Sequence, residues 1–169
     1  SVFERNNTYG GKLGSLKLNK FSFDTGPSLL TMPHLIDELF SMHGEDPRNY
    51  FNYKKKDIHC KYFWDDGTIF TAYSDKGKYI DEAETKLSVN KNYLLQYFSK
   101  SKKKYDLIHK LFLLKPINKL TTFLNFDTVK AFINIKLFQL FSSLNKVNER
   151  EISNKYMVQI LNRYATYNG

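Results

Sequence analysis

Near Asp75 the spacing of apolar residues changes from every second position to nearly every fourth, and no other feature constrains the fold as much. A period of two suits strands; one near 3.6 suits helices. The chain is therefore expected to pass from a strand-rich part into a helical one. In the strand-rich part, "KLGSLKLN" and "FSFD" read as a hairpin turning at Asn19-Lys20, after a strand end at Val2-Phe3. Pro33 suits a first helical position, with Leu35, Ile36, Leu39, Phe40 and Met42 as a stripe that stops near Gly44. The aromatic stretch from Tyr50 to Tyr73 predicts two or three antiparallel strands, with Asp65-Asp66-Gly67 as a hairpin turn.

Beyond Asp75, Ser88 is expected to cap a helix over about 89–114 with Tyr93, Tyr97, Tyr105, Ile108, Leu111 and Phe112 on one side. Lys100, Lys102, Lys103 and Lys104 would then face solvent. Pro116 ends that helix, Asp127 caps another through about Leu144, and a last one runs over about 148–164.

Charge follows the same division. Residues 1–45 carry four basic and five acidic side chains; residues 46–169 carry 22 and 12. A basic surface of that kind favours nucleic acid, anionic lipid or water, and charge alone does not choose among them. The lone Cys60 excludes an internal disulfide or a cysteine metal cluster and fits a reducing compartment. No basic-then-apolar signal sequence occurs near Ser1, and the longest aliphatic and aromatic run, Leu111 to Leu114, is far below the roughly 20 residues of a spanning helix.

Chemistry-bearing residues are sparse. His34, His43, His59 and His109 are scattered, no nucleophile elbow occurs, and Asp65-Asp66 is better explained by its turn than by acid–base work. No metal site is expected, and no catalytic residue is assigned. Glu4, closing "VFE", has the form of the acid at the end of a βαβ unit's second strand, where a carboxylate accepts hydrogen bonds from an adenosine ribose. It equally has the form of a surface glutamate. The matching glycine fingerprint would lie about 20 residues earlier, before Ser1.

Read together, "FERNNTYGGKLGSLKLNKFSFDTGPSLLTMP" resembles the flavin-dependent carotenoid desaturases of the phytoene desaturase type, within the amine-oxidase-like flavoproteins. The resemblance rests on Glu4, then Gly10-Gly11-Lys12, then Phe23-Asp24-Thr25-Gly26-Pro27, in that order. "YFNYKKKDIHCKYFWDDGT" and the closing "RYATYNG" are similar to the bacterial members, in particular those acting on hydroxylated carotenoids.

This resemblance implies an α/β or α+β fragment: part of an FAD-binding domain at 1–45, then at 46–169 a substrate region with strands within 50–73 and a helical substrate or lid part at 75–169. It implies FAD as cofactor and desaturation of a long polyene by hydride transfer to the flavin. Glu4 would hold the ribose, and Gly10 and Gly11 would let the backbone approach the cofactor. Lys12 would place a point charge at the pyrophosphate, without the fork an arginine offers. Arg5 either serves the same anion or sits in solvent. Gly26, Pro27 and Ser28 would lie near the flavin ring, or simply form the turn before the helix at Pro33.

The chain alone is expected neither to hold FAD tightly nor to turn over. A polyene lives in the bilayer, so a peripheral position on the inner face of a bacterial membrane is expected; the 14 Phe and 12 Tyr include residues able to line a substrate passage, but any single aromatic, such as Phe63 or Trp64, is expected to fill the core. "FINIKLFQLFSSL", Phe132 to Leu144, would rest on the membrane interface or pack as a core helix. Two other readings remain at this point: a basic module for nucleic acid or anionic membrane, and a related amine or porphyrinogen oxidase. The Lys102–Lys104 run lacks interleaved aromatics, which argues against nucleic acid.

Overall fold

Local turn chemistry sets the first elements of the computed structural model, which describes residues 3–7, 9–26, 30–112, 118, 124 and 126–168 and divides into two units, 1–54 and 55–169. In the first unit, Asn19 adopts φ 55°, in the left-handed region that asparagine tolerates. It joins β1 (Ser15–Leu18) to β2 (Phe21–Asp24) with Leu16 opposite Phe23 and Leu18 opposite Phe21. The expected hairpin is present. Phe3 is 95% exposed and outside any strand, correcting the expected strand end; Val2 lies outside the described residues.

Helix α1 (Pro33–Met42) begins on its proline, as its sequence predicts, and a short 3-10 turn (Pro47–Asn49) follows. The two are tied together by side chains. Asp37 accepts from the guanidinium of Arg48 and, at 2.8 Å, from the Tyr53 hydroxyl. Arg48 also lies 4.6 Å from the Tyr53 ring centroid, and Phe40 stacks on Tyr50 at 5.1 Å.

The second unit holds the core. β3 (Ile58–Phe63) and β4 (Ile69–Tyr73) pair antiparallel around Trp64–Gly67, where Gly67 takes φ 80° and its N–H donates to the Trp64 carbonyl at 3.0 Å. This is the turn signalled by Asp65-Asp66-Gly67. Phe70, Thr71 and Ala72 of β4 are all buried, and the Thr71 N–H donates to Glu82 at 3.2 Å. A side chain thus completes a backbone donor of the strand.

Helix α2 (Lys76–Leu87) was not anticipated as a separate element. Asp75 caps it by accepting from the Lys78 N–H at 2.8 Å, and Tyr79, Ile80, Ala83 and Leu87 face the core. Ser88, expected to start the next helix, instead ends this one in the left-handed conformation at φ 56°. Helix α3 (Lys91–Phe112) follows, its start served by Asn90, which accepts from the Asn92 N–H at 2.9 Å.

The face of α3 also differs from expectation. Leu94 and Leu107 are buried and Tyr97 and Phe98 partly so, while Tyr93 and Tyr105 are about half exposed. Lys100 pairs with Glu151 at 3.2 Å, and Lys104 is half-buried with its ammonium 3.2 Å from the Gln139 side chain. Only part of the lysine group is therefore simply solvated. The expected break at Pro116 lies outside the described residues.

The helix expected over 127–144 is split. α4 (Phe126–Ile133) stops where Asn134 folds its amide back onto the Lys130 carbonyl at 2.8 Å, in competition with the helical ladder. α5 (Ile135–Phe138) ends at Gln139, whose φ is 51°. Ser143 then caps α6 (Leu144–Glu151), and α7 (Lys155–Asn162) runs into a 3-10 turn at Arg163–Asn168. The helix expected over 148–164 is interrupted because Ile152 turns extended and is buried at 1% exposure.

Asn154 joins two helix ends. Its Oδ1 accepts from the Met157 N–H at 2.9 Å, capping α7, while its Nδ2 donates to the Leu87 carbonyl at 2.7 Å, closing α2. Inside the unit, Phe70, Tyr79 and Phe98 form edge-to-face contacts at 5.1 and 5.6 Å, and Met157, Ile160, Leu161 and Leu94 complete the core. Asn148 is fully buried yet satisfied, accepting from Tyr97 and donating to Asn162, both at 2.8 Å.

Candidate functional site

The glycine pair forms a turn that no other residue type enters readily. Gly10 and Gly11 have φ 103° and 59°, and the Leu13 N–H closes the turn on the Gly10 carbonyl at 3.0 Å. The Gly14 N–H donates to the Lys12 carbonyl at 3.1 Å, and the Thr25 N–H reaches the Gly14 carbonyl at 2.9 Å. These bonds carry the turn onto the far end of the β1–β2 hairpin.

There the backbone of Gly26 lies directly against Lys12. A Cβ at position 26 would collide with the Lys12 carbonyl oxygen and come within 3.2 Å of the Leu13 Cα. Gly26 is thus required by close approach of two backbones. Two of the three sequence-predicted groups, Gly10-Gly11-Lys12 and Gly26, are brought together across 14 residues of chain.

Glu4 and Arg5 are exposed. Glu4 uses Oε1 locally, accepting from the Asn6 N–H at 2.8 Å and the Asn6 side-chain amide at 3.0 Å. Pro27 and Ser28 lie outside the described residues.

The fit to an anionic dinucleotide can be tested on these atoms. The turn lacks Cβ atoms at two positions, carries an exposed lysine next to them and is backed by a third glycine, Gly26. Such a turn has the composition of one that admits an anion to the main chain.

The aromatic residues of the second unit serve structure first. Trp64 donates from its indole N–H to the Gln159 side chain at 2.7 Å and meets the Tyr156 ring edge-on at 4.8 Å. Phe63, by contrast, is 68% exposed. A cleft of about 440 Å³ between α6 and α7 is lined by Asn145, Glu149, Ser153 and Gln159 as well as Ile152 and Val158, a wall of mixed character.

Several side chains have displaced titrations. Asp66 is held down at about 2, chiefly by the hydroxyl of Tyr156, then by the Thr68 N–H at 3.0 Å. Burial pushes the Tyr79 phenol up, and burial followed by the Glu151 charge does the same to Tyr97. Arg163 donates to the Tyr62 hydroxyl at 3.0 Å and to the Cys60 sulfur at 3.1 Å, and the Tyr62 bond is the main cause of its raised pKa. The sequence carried no signal for these partners, which are about 90 to 100 residues apart. Among the described residues, no three His, Cys, Asp or Glu side chains gather as a metal site.

No family model matches the chain. Individual relatives do. It is 42% identical over all of its 169 residues to a 1-hydroxycarotenoid 3,4-desaturase of Flavobacterium sp. (strain P99-3), covering 34% of that protein. It is 29% identical, over 99% of its length and 33% of the relative, to a 4,4'-diapolycopene oxygenase of Methylomonas sp. A carotenoid 3,4-desaturase of Haloarcula japonica matches at 26% identity over 78% of the chain and 26% of the relative.

The chain is therefore homologous, over its whole length, to the carotenoid desaturases and carotenoid oxygenases. It spans about a third of the length of these curated relatives.

Proposed function

We propose that this sequence is part of an FAD-dependent oxidoreductase that desaturates a carotenoid or related long polyene. The observation that carries the reading is the 42% identity, without loss of coverage, to a protein named for 1-hydroxycarotenoid 3,4-desaturation. The 3,4-desaturase of Haloarcula supports the same reaction class. The oxygenase names among the relatives keep oxygenation of a carotenoid end as the neighbouring chemistry.

In this reading Lys12, with Arg5, neutralises the FAD diphosphate, Gly10 and Gly11 admit it to the main chain, and Glu4 accepts hydrogen bonds from the ribose. Gly26 holds the turn in place against the hairpin end. The flavin, when bound, supplies the electron sink, and the protein supplies position and exclusion of water. Because the substrate is a bilayer hydrocarbon, the enzyme works as a peripheral protein on the cytoplasmic face of a bacterial inner membrane.

The test is pigment analysis. The gene carrying this sequence, expressed at its full length in cells that accumulate 1-hydroxylated and acyclic carotenoids, is expected to lengthen the conjugated system. A flavin-loaded, folded product that leaves both pigments unchanged would reject the proposal. Exchange of Lys12 for alanine is expected to weaken flavin retention in the same protein, whereas Lys12→Arg preserves it.

A further inference from the structure

Trp64, the one tryptophan of the sequence, is held between two tyrosines that differ in what they can do with a proton. Its indole meets the Tyr156 ring edge-on at 4.8 Å between centroids, and stacks with Tyr62 at 6.0 Å with 17° between the planes. Rings this close exchange an electron readily. The indole N–H donates to the Gln159 side-chain oxygen at 2.7 Å, and a neutral amide is too weak a base to take that proton.

The two phenols have opposite surroundings. The Tyr62 oxygen accepts from the Arg163 guanidinium at 3.0 Å, so a cation faces the atom from which a proton would have to leave. The Tyr156 hydroxyl instead donates to Asp66, an exposed carboxylate that is held ionised at neutral pH. The Lys155 ammonium lies 4.6 Å from the centre of the Tyr156 ring and opposes positive charge there. Tyr156 therefore gives up an electron most easily as its proton crosses to Asp66, which leaves a neutral phenoxyl radical.

We propose that Trp64, Tyr156 and Asp66 form a relay that takes up a one-electron oxidant and stores it as a radical on Tyr156. A peroxyl radical, for example, draws an electron from the Trp64 indole and, with a proton from water, becomes a hydroperoxide. Trp64 recovers its electron from Tyr156, whose hydroxyl proton passes to Asp66 and on to water. This transfer runs forward because a phenol loses an electron and a proton together more easily than an indole does. A thiol then returns one hydrogen atom to the phenoxyl oxygen and is itself left as a thiyl radical. The relay uses neither flavin nor polyene, so it stands apart from the carotenoid reading.

Pulse radiolysis of the full chain with the azide radical tests it, since that oxidant attacks tryptophan ahead of tyrosine at neutral pH and the sequence offers a single indole. The tryptophan radical is expected to decay as a tyrosyl radical grows in, at a rate independent of protein concentration and slower in heavy water. Tyr156→Phe keeps the ring and loses the hydroxyl. It should lengthen the life of the tryptophan radical on the order of tenfold or more, and Asp66→Asn should do the same while abolishing the solvent isotope effect. Tyr62→Phe should leave the decay unchanged. Circular dichroism matching the parent's reports that each variant keeps the fold. Equal decay in the parent and in Tyr156→Phe would overturn the proposal. So would transfer that Tyr62→Phe removes, or a parent decay without growth of a tyrosyl radical, and this last outcome needs no variant.

Discussion

Gly26 and the carbonyl of Lys12 occupy adjoining space with no room between them for a methyl group. The Gly10-Gly11-Lys12 turn and the hairpin end are therefore one structural object, although the sequence separates them. The position of the turn is set by the backbone of residues 25 and 26.

Gly26→Ala is accordingly expected to push the turn off the hairpin. Overpacking of this kind costs about 1–3 kcal/mol. The measurement is amide exchange at Thr25, whose N–H is held by the Gly14 carbonyl at 2.9 Å. Its protection should drop at least several-fold, while amides of β3 and β4 keep theirs.

Replacing Asn154 removes two caps at once. Asn154→Ala should cost roughly 2–4 kcal/mol, combining a lost N-cap with an unsatisfied Leu87 carbonyl. Asn154→Asp retains the acceptor for Met157 and loses the donor to Leu87, so its cost should fall between parent and alanine variant. Urea unfolding read on the second unit's helices separates the three proteins.

The acid limb of stability should show Asp66. Its pKa is depressed to about 2 in the folded chain, so its contribution is present above the ordinary unfolded value and is lost as pH falls through about 2. Tyr156→Phe removes the leading cause. The Asp66 midpoint, followed by carboxyl carbon NMR, should then climb toward the ordinary value of about 3.9 without reaching it, since the Thr68 N–H remains. No movement of the midpoint would show that the Tyr156 hydroxyl does not hold the carboxylate.

The buried Asn148 should be coupled to Tyr97. Asn148→Ala strands the Tyr97 hydroxyl and the Asn162 amide, at about 1–3 kcal/mol for each group left unsatisfied. Tyr97→Phe in the same background should then cost less than it does in the parent. A double-mutant cycle is expected to give a coupling of about 0.5–3 kcal/mol.

What could be read from the sequence was local. Asn19, Pro33 and Gly67 each fix a backbone conformation within a few residues, and the elements around them formed where expected. Helix α2 escaped because its first turn is Lys-Gly-Lys and its core residues include a tyrosine and an alanine, a weak apolar stripe. Serine ordinarily serves a helix start by its side chain, whereas Ser88 serves a helix end by adopting positive φ. The interruptions at Asn134 and Ile152 depend on a side chain folding back and on a buried aliphatic, neither of which periodicity registers. At the site, the glycines were recognisable as necessary, but only coordinates reveal that Gly26 serves Lys12 and that Glu4 is engaged by Asn6.

The bond from Asn154 to Leu87 spans 67 residues, so during translation the end of α2 emerges long before its partner. At about 5–20 residues per second, that carbonyl waits roughly 3 to 13 seconds for its amide. Ribosome pausing within that stretch would prolong the wait, and a chaperone that shields exposed backbone would find its opportunity there.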